Sequence, residues 1–377
     1  MSKVKLGEVA IEHKETCKGS KDGYPIVGLE HLIPEEVTLT AWDEGSDNTF
    51  TKMFRKGNVL FGRRRAYLKK AAVAPFDGIC SGDITVIEAI SDRILPELLP
   101  FIIQNDDLFD FAVGKSAGSL SPRVKWEHLK NYEFELPDME KQRELAKLLW
   151  AMDATKKSYQ KLIAATDELV KSQFMEQFVI ETPYERTRLG DHISQIRGVS
   201  YKPADLRPSL SEESVLLLRA NNISAGRINH DEVQYVAKEK VSIVQLIQAG
   251  DILMCASSGS LEHVGKAAIC LPSIEGETFG AFCKLIRPKG DLLPEYIAAY
   301  LETDEYREII MQLACGSNIN NLKTEHIDEL QIPTPPAEVQ EAFVSFLRQS
   351  DKSKFELEQA LSELTATYKR IITENLG

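Results

Sequence analysis

Cysteines are few in this 377-residue sequence, and long hydrophobic runs are missing. The six cysteines form no Cys-x-x-Cys pair and have no histidine at ligand spacing, so we expect neither a disulfide framework nor a metal site. No stretch approaches the roughly 18 consecutive apolar residues of a membrane-spanning helix. The N-terminal MSKVKLGEVA lacks the apolar core of a secretory signal. We therefore expect a cytoplasmic protein with reduced thiols and no membrane association.

Common signatures of cofactor binding and catalysis are also missing. Neither G-x-G-x-x-G nor H-E-x-x-H occurs, and Gly114-Lys115-Ser116 does not complete a phosphate-binding loop because Phe109 occupies the position of its first glycine. The Asn/Asp-Pro-Pro-aromatic turn of amino-methyltransferases is absent as well. His128 and His326 lie at equivalent positions of two sequence repeats, and we interpret both as partly buried structural residues. We therefore expect no catalytic residue and no cofactor in this chain.

Basic residues are outnumbered overall, 45 against 57 acidic ones, but they are concentrated locally. The net charge of −12 argues against a general nucleic-acid-binding protein. Residues 55–76 nevertheless contain no acidic side chain and seven basic ones: Arg55, Lys56, Arg63, Arg64, Arg65, Lys69 and Lys70. Arginine is the side chain that binds phosphate and guanine edges through two hydrogen bonds. This segment is either a solvated charged loop or a phosphate- and base-binding surface.

The sequence contains an internal repeat, whose elements recur in the same order. The matching pairs are Leu6-Gly7 and Leu189-Gly190, Gly57-Asn58-Val59-Leu60 and Gly250-Asp251-Ile252-Leu253, Lys125-Trp126-Glu127-His128-Leu129 and Lys323-Thr324-Glu325-His326-Ile327, Leu136-Pro137 and Ile332-Pro333, and Gln142 and Gln340. The order predicts an α+β protein with two similar mixed α/β domains, residues 1–135 and 182–334. A long helix follows each domain, at residues 136–181 and 335–377.

Short elements within the domains are predicted from apolar runs and amphipathic spacing. We expect strands at residues 59–61, 71–74 and 84–88, and at residues 252–254, 267–271 and 282–287. Single helices are expected at residues 96–113 and 294–314.

Within residues 138–178 and 337–374, both long helices lack proline and glycine and carry apolar residues three or four positions apart. In the first these are Leu145, Leu148, Met152, Tyr159, Leu162, Thr166, Leu169 and Phe174, and in the second Phe343, Phe346, Leu347, Leu357, Leu361, Leu364, Tyr368 and Ile371. At 1.5 Å per residue each helix would be about 60 Å long, so one compact domain cannot cover its apolar stripe. We predict that the two helices pair antiparallel as a coiled coil; in the alternative, each lies on its own domain.

Candidate DNA-binding residues are polar or basic side chains in the loops of each repeat. In the first repeat they are Arg63, Arg64, Arg65, Tyr67, Lys69, Lys70, Lys115, Ser119, Ser121, Arg123 and Lys125. In the second they are Arg219, Asn221, Asn222, Ser257, Ser258, Ser260, Lys266, Asn318, Asn320, Asn321 and Lys323. The frames of the two repeats match while their loops differ, as expected for two related domains that bind different targets.

This duplicated order of motifs resembles the DNA-specificity subunit of type I restriction–modification systems, over essentially the whole chain. The resemblance implies two target-recognition domains, each reading one half of an asymmetric bipartite site in duplex DNA, and a helix pair that fixes their separation. It also implies two modification subunits as partners, which bind S-adenosylmethionine and methylate adenine at N6 after flipping the base. Whether ATP-dependent restriction subunits join is left open. One departure is that the second domain has no basic cluster like Arg63–Arg65.

Two other functions remain open on sequence grounds. The specificity subunit of a type IIB system would share the same motifs and differ in its partner. A protein-interaction scaffold, with two heads on a coiled coil, would fit the negative net charge.

Overall fold

The computed structural model describes residues 2–45, 48–180, 184–314 and 320–377, and only the backbone of Asn320. The chain divides into two compact units, Met1–Lys161 with Leu357–Gly377 (unit 1) and Leu162–Glu356 (unit 2). Each unit contains one globular domain and a part of each long helix. The predicted boundary between the first helix and the second domain, at residues 181–182, lies outside the described residues.

The domain of unit 1 is built on an antiparallel four-stranded sheet of order β2-β8-β5-β6. A three-stranded sheet, β3-β7-β4, and the pair β1-β9 complete it. The elements are β1 (Ser2–Lys5), α1 (Leu6–Val9), β2 (Ala10–Glu12), β3 (Ile26–Val27), β4 (Lys52–Phe54), β5 (Val59–Gly62), β6 (Ala71–Val73), β7 (Gly78–Cys80), β8 (Ile84–Ala89), α2 (Leu99–Ile103), α3 (Asp106–Gly114), α4 (Trp126–Leu129), β9 (Glu133–Leu136) and the start of α5 (Met139–Met175).

The domain of unit 2 has an antiparallel four-stranded sheet of order β11-β21-β17-β19 and a second sheet of order β12-β16-β13-β20. The pairs β10-β23, β14-β15 and β18-β22 are smaller. The elements are β10 (Arg186–Arg188), α6 (Leu189–His192), β11 (Ile193–Arg197), β12 (Leu206–Arg207), β13 (Ser214–Leu218), β14 (Ile223–Ser224), β15 (Arg227–Ile228), β16 (Gln234–Ala237), β17 (Ile252–Cys255), β18 (Ser257–Ser258), β19 (Ala267–Ile269), β20 (Thr278–Phe279), β21 (Cys283–Pro288), α7 (Pro294–Tyr300), α8 (Asp304–Ala314), β22 (Asn320–Asn321), α9 (Thr324–Asp328), β23 (Gln331–Pro333) and α10 (Ala337–Leu376).

The predicted repeat is confirmed by these topologies. The sheet β2-β8-β5-β6 of unit 1 corresponds to β11-β21-β17-β19 of unit 2, and the pair β1-β9 corresponds to β10-β23. Two helices follow each four-stranded sheet, and a one-turn helix precedes the last strand of each domain. All six predicted strands exist, with ends that differ from the prediction by no more than two residues.

One inner strand of each four-stranded sheet, β5 or β17, is buried on both faces. Side chains alternate across a strand, so Phe61 of β5 packs with the helices of unit 1 while Leu60 packs with the second sheet. Met254 and Leu253 of β17 divide between two cores in the same way. This double burial explains why these strands are continuous apolar runs rather than alternating ones.

The Leu-Gly motif at the start of each repeat connects that start to the end of the same domain. The backbone N–H of Leu6 donates to Tyr132 O at 2.8 Å, and the N–H of Leu189 donates to Leu330 O at 2.8 Å. The following glycine approaches the one-turn helix so closely that a Cβ at Gly190 would lie 2.7 Å from Cβ of Asp328. The repeated motifs are therefore parts of one structural connection within each domain.

The helix glutamine of each repeat is buried and links the long helix to its domain. Oε1 of Gln142 accepts from Leu95 N at 2.8 Å, and its Nε2 donates to Pro137 O at 2.8 Å. Gln340 accepts from Leu293 N at 2.9 Å and donates to Pro335 O at 2.9 Å. Each amide thus satisfies two buried backbone groups that no regular element pairs.

The single helices predicted at residues 96–113 and 294–314 are each two helices in the structure. Asn105 separates α2 from α3, and its side chain accepts from Asp107 N at 3.1 Å. Thr303 separates α7 from α8, and its hydroxyl donates to Tyr300 O and accepts from Tyr306 N. The prediction was wrong because short polar side chains compete for backbone hydrogen bonds and start a new helix.

The long helices run antiparallel within unit 2, as predicted. Nζ of Lys354 lies 2.5 Å from Oδ1 of Asp167, and the rings of Phe343 and Phe174 lie 5.6 Å apart. Within this unit the two helices therefore run in opposite directions. In unit 1, Leu145 and Leu149 of α5 share a core with Ile372 and Leu376 of α10.

The predicted apolar stripe of α5 is wrong at three positions. Leu148, Leu162 and Leu169 are exposed, whereas the residue after each one, Leu149, Ile163 or Val170, is buried or half-buried. One residue rotates the helix surface by about 100°, and two adjacent apolar residues do not reveal which of them faces the partner. No helix in the described ranges could span a membrane.

Candidate DNA-binding surfaces

The arginine loop of unit 1, residues 63–70, is fixed by backbone hydrogen bonds to two other segments. Arg63 N donates to Asp83 O at 3.0 Å, and Arg65 N donates to Pro122 O at 2.8 Å. Arg65 and Lys69 adopt positive φ values of 55° and 50°, so the loop turns sharply at both ends. These bonds place the arginines beside the tip loop, residues 117–123, whose ends Ala117 and Arg123 bond each other.

Asp83 holds two of the predicted DNA-binding arginines together. Its carboxylate lies 2.7 Å from Nε of Arg123 and 3.6 Å from Arg64, whose own Nε donates to Ser121 Oγ at 2.9 Å. The hydrogen bond from Arg123 is the main reason that the pKa of Asp83 lies below its usual range. The carboxylate thus remains ionised and orients guanidinium groups that are each about 40% exposed.

Apart from Arg63, which is half-buried, the remaining candidates in unit 1 fall into two groups. Arg65, Tyr67, Lys115, Ser119 and Lys125 are exposed. Lys69 and Lys70 are engaged inside the unit: Nζ of Lys69 is 2.5 Å from Asp106 Oδ1, and Nζ of Lys70 donates to Leu29 O at 2.8 Å. Their charges are therefore less available to a ligand than those of the arginine loop.

In unit 2, four predicted residues line one open cleft. The cleft has a volume of about 750 Å³ and is formed by residues 199–201, 219–221, 257–259 and 280–283. It brings together Arg219, Asn221, Ser257 and Ser258 from two separate segments of the chain. The backbone of Asn320–Asn321 pairs with Ser257–Ser258, so Asn321 is next to the cleft wall.

Other candidates in unit 2 lie elsewhere. Asn222 is fully buried and donates to Asp231 O at 2.7 Å, so it supports the loop from inside. Ser260, Lys266 and Lys323 are exposed. Asn318 and the side chain of Asn320 lie outside the described residues.

Two aromatic residues of the cleft were not predicted from the sequence. Tyr201 and Phe282 line it, and the Phe282 side chain is 66% exposed. The sequence prediction placed Phe282 at the start of a strand, but β21 begins at Cys283. Aligning the repeats on their paired strands would have shown that Phe282 occupies the position of Asp83.

No group of three His, Cys, Asp or Glu side chains in the described ranges could hold a metal ion. Burial raises the pKa of the Cys80 and Cys270 thiols to about 12, which keeps them protonated. His326 is half-buried, as expected, but His128 is exposed, so that part of the interpretation was wrong.

One short pattern overlooked in the sequence is Gly114-Lys115-Ser116-Ala117-Gly118, which matches the G-x-S-x-G motif of nucleophilic serines. That motif requires a turn between a strand and a helix, whereas Ser116 follows the end of α3. Its hydroxyl donates to Ala112 O at 2.8 Å, one turn back on the helix. The match is therefore a helix C-terminus and not a nucleophile.

Comparisons with known proteins agree with the duplicated architecture. The family of the type I restriction modification DNA specificity domain matches residues 1–165 and 219–365. The chain is 38% identical over 168 residues to the type I restriction enzyme StySPI specificity subunit of Salmonella potsdam, and 37% identical over 168 residues to the EcoKI specificity subunit of Escherichia coli. Each match covers 44% of this chain and 36% of the relative, so the chain matches little more than a third of their length.

A solved structure shows the same fold over almost the whole chain. It comes from work on complex assembly and conformational transition of the type I R-M system, and it matches 98% of this chain and 96% of its own with a TM-score of 0.58. The sequence identity in that match is 20%, so it supports the fold alone. Because the family match covers both repeats, this chain belongs to the type I restriction–modification DNA specificity family.

Proposed function

We propose that this chain is the DNA-recognition subunit of a type I restriction–modification complex. Each globular domain reads one half of an asymmetric bipartite site in duplex DNA, and the paired long helices fix the spacing and dock two methyltransferase subunits. The observation that carries the proposal is the combination of one shared frame with two different loop chemistries. The frame is the four-stranded sheet found in both units. The two chemistries are those of the arginine loop in unit 1 and of the segments that form the cleft in unit 2.

The two surfaces suit duplex DNA in different ways. In unit 1, Arg64 and Arg123 are oriented by Asp83, and oriented guanidinium groups bind guanine edges or phosphates through two hydrogen bonds. In unit 2, an arginine, an asparagine and serine hydroxyls line a partly apolar cleft. Different chemistry in the two units favours an asymmetric site over a palindrome.

Methylation itself belongs to the proposed partners. They bind S-adenosylmethionine and transfer its methyl group to adenine N6, while this chain contributes recognition and no chemistry of its own. The net charge of −12 supports this division of labour, since partner subunits would supply much of the positive charge that DNA binding requires. An ATP-dependent restriction subunit would join the same assembly where one is encoded.

Footprinting of the purified complex on duplex DNA tests the proposal. We expect two protected segments separated by an unprotected spacer, with binding that weakens steeply as salt rises. The isolated chain, as the control, should bind much more weakly than the complex. A continuous footprint, or one that is indifferent to sequence, would contradict bipartite recognition. A protein-interaction scaffold would give no footprint at all.

A further inference from the structure

The cleft of unit 2 is open and lined by both aromatic and polar side chains, and the inference drawn from it rests on the proposed DNA-recognition function. Its volume of about 750 Å³ exceeds what surface contact with a base edge requires. Base edges inside a groove are reached by protein elements that project. A concave site instead receives a group that projects from the DNA.

Phe282 is presented to this cleft on a fixed backbone. Its carbonyl accepts hydrogen bonds from Ala256 N at 2.9 Å and Ser257 N at 3.0 Å, while its ring is 66% exposed. The equivalent residue of unit 1 is Asp83, which is occupied with Arg64 and Arg123. Exposure of a large ring on an anchored backbone is typical of a residue that packs against a ligand.

Two other residues that line the cleft, Arg219 and Tyr201, are held in place by hydrogen bonds. Arg219 donates to Glu232 O at 2.6 Å, which fixes its guanidinium, while its buried Nε has no hydrogen-bond partner among the described residues. Asn221 is exposed at the same wall. The hydroxyl of Tyr201 donates to Gln234 Oε1 at 2.9 Å, which holds that ring in place.

This lining distinguishes between the parts of DNA that could enter. A phosphate would find one arginine and several amide or hydroxyl donors in the cleft, but the exposed ring of Phe282 offers it no hydrogen bond. A nucleobase has an apolar face and a polar edge, and it matches an aromatic ring on one side and Arg219 with Asn221 on the other. We propose that the cleft of unit 2 receives one nucleobase rotated out of the DNA stack, with its face on Phe282 and its polar edge toward Arg219 and Asn221.

The test uses the full chain assembled with its methyltransferase partners on a duplex that contains the recognised site. 2-Aminopurine, which fluoresces when unstacked, replaces each purine in turn, and permanganate and pyrrolo-cytosine report on thymine and cytosine. We expect one unstacked position in the half-site read by unit 2, in addition to the methylated adenine and its pairing partner.

The variants identify the residue responsible. Phe282→Ala should abolish the additional signal and weaken binding about tenfold, while Phe282→Trp should retain both. Leu271→Ala is the matched control, because Leu271 is 59% exposed in the same unit and does not line the cleft. It should leave the signal unchanged. Protection of the other half-site in Phe282→Ala shows that the variant is folded and assembled.

The outcomes separate the two proposals. If wild type gives no additional unstacked position, or if Phe282→Ala keeps it, the nucleobase site is wrong while bipartite recognition stands. If wild type gives no sequence-specific protection of either half-site, the proposed function fails and the nucleobase site fails with it.

Discussion

Individual residues at equivalent positions show how one frame carries two different surfaces. Asp83 of unit 1 binds two arginines, whereas Phe282 of unit 2 leaves an aromatic ring at the edge of a cleft. Each of the two residues lies directly before the last strand of its four-stranded sheet, β8 or β21. The two surfaces therefore differ at this position in both charge and side-chain type.

The arginine loop provides the first prediction at this scale. Changing Arg63, Arg64 and Arg65 together to Ala should abolish recognition of one half-site, because up to three guanidinium contacts to DNA are lost. The slope of log affinity against log salt concentration is negative, and its magnitude should decrease by up to about three. Methylation sequencing with the variant complex measures the specificity. Arg93→Ala, an exposed arginine of the same unit, is the control, and unchanged specificity in the triple variant would remove the loop from the interface.

The buried glutamines provide the second prediction. Gln142→Ala should lower the free energy of unfolding by about 1–3 kcal/mol, because the N–H of Leu95 loses its partner in a partly buried site. Gln340→Ala should act similarly through Leu293. Chemical denaturation of the full chain measures both, with the exposed Glu140→Ala as control. A loss no larger than that of the control would show that these amides do not stabilise the connection.

Secondary structure elements were predicted with uneven success, for physical reasons. The strands were predictable because β5 and β17 are buried on both faces and therefore continuously apolar. The breaks at Asn105 and Thr303 were missed because each depends on a local side-chain hydrogen bond. The predicted apolar stripe of α5 was displaced by one residue at three positions, because two adjacent apolar residues do not show which of them faces the partner helix.

The candidate sites were predictable in composition but not in arrangement. Seven basic residues and no acidic one within residues 55–76 identify the arginine loop from the sequence alone. Which of these basic side chains are already engaged depends on contacts such as Lys69 with Asp106 and Arg64 with Ser121. These contacts join residues far apart in the chain. For the same reason, the four segments of the unit 2 cleft gave no local signal.

The helix pair of unit 2 contains an ion pair that yields the third prediction. The Lys354 side chain is only 8% exposed, whereas that of Asp167 is 44% exposed. Asp167→Ala should destabilise the chain by about 1–2 kcal/mol, because it leaves a buried ammonium group unpaired, with partial relief from solvent. Lys354→Met should be nearly neutral, since the methionine fills the same space without a charge. Thermal unfolding of both single variants and the double variant measures the coupling, and equal losses in both single variants would argue against it.

At the scale of the whole molecule, two domains with unlike surfaces are connected by two long helices of 37 and 40 residues. A connection of this kind is expected to determine the spacing of the two half-sites. Because the frame of each domain is closed by its own Leu-Gly connection, helix length and loop chemistry should be separable.

Insertion of one heptad at matched positions in both long helices tests that separation. Seven residues preserve the phase of the helix pair, so the apolar seam continues through the insertion. We expect the tolerated spacer length to change while both half-sites stay the same. An altered half-site with an unaltered spacer would refute the role of the helices as a ruler.

The methylation pattern of the host genome, with and without this gene, tests the central claim most directly. Bipartite recognition by two unlike domains predicts that deletion removes N6-methyladenine from a single asymmetric motif of two short segments and an unspecified spacer. An unchanged methylation pattern, or loss from a continuous or palindromic motif, would contradict it.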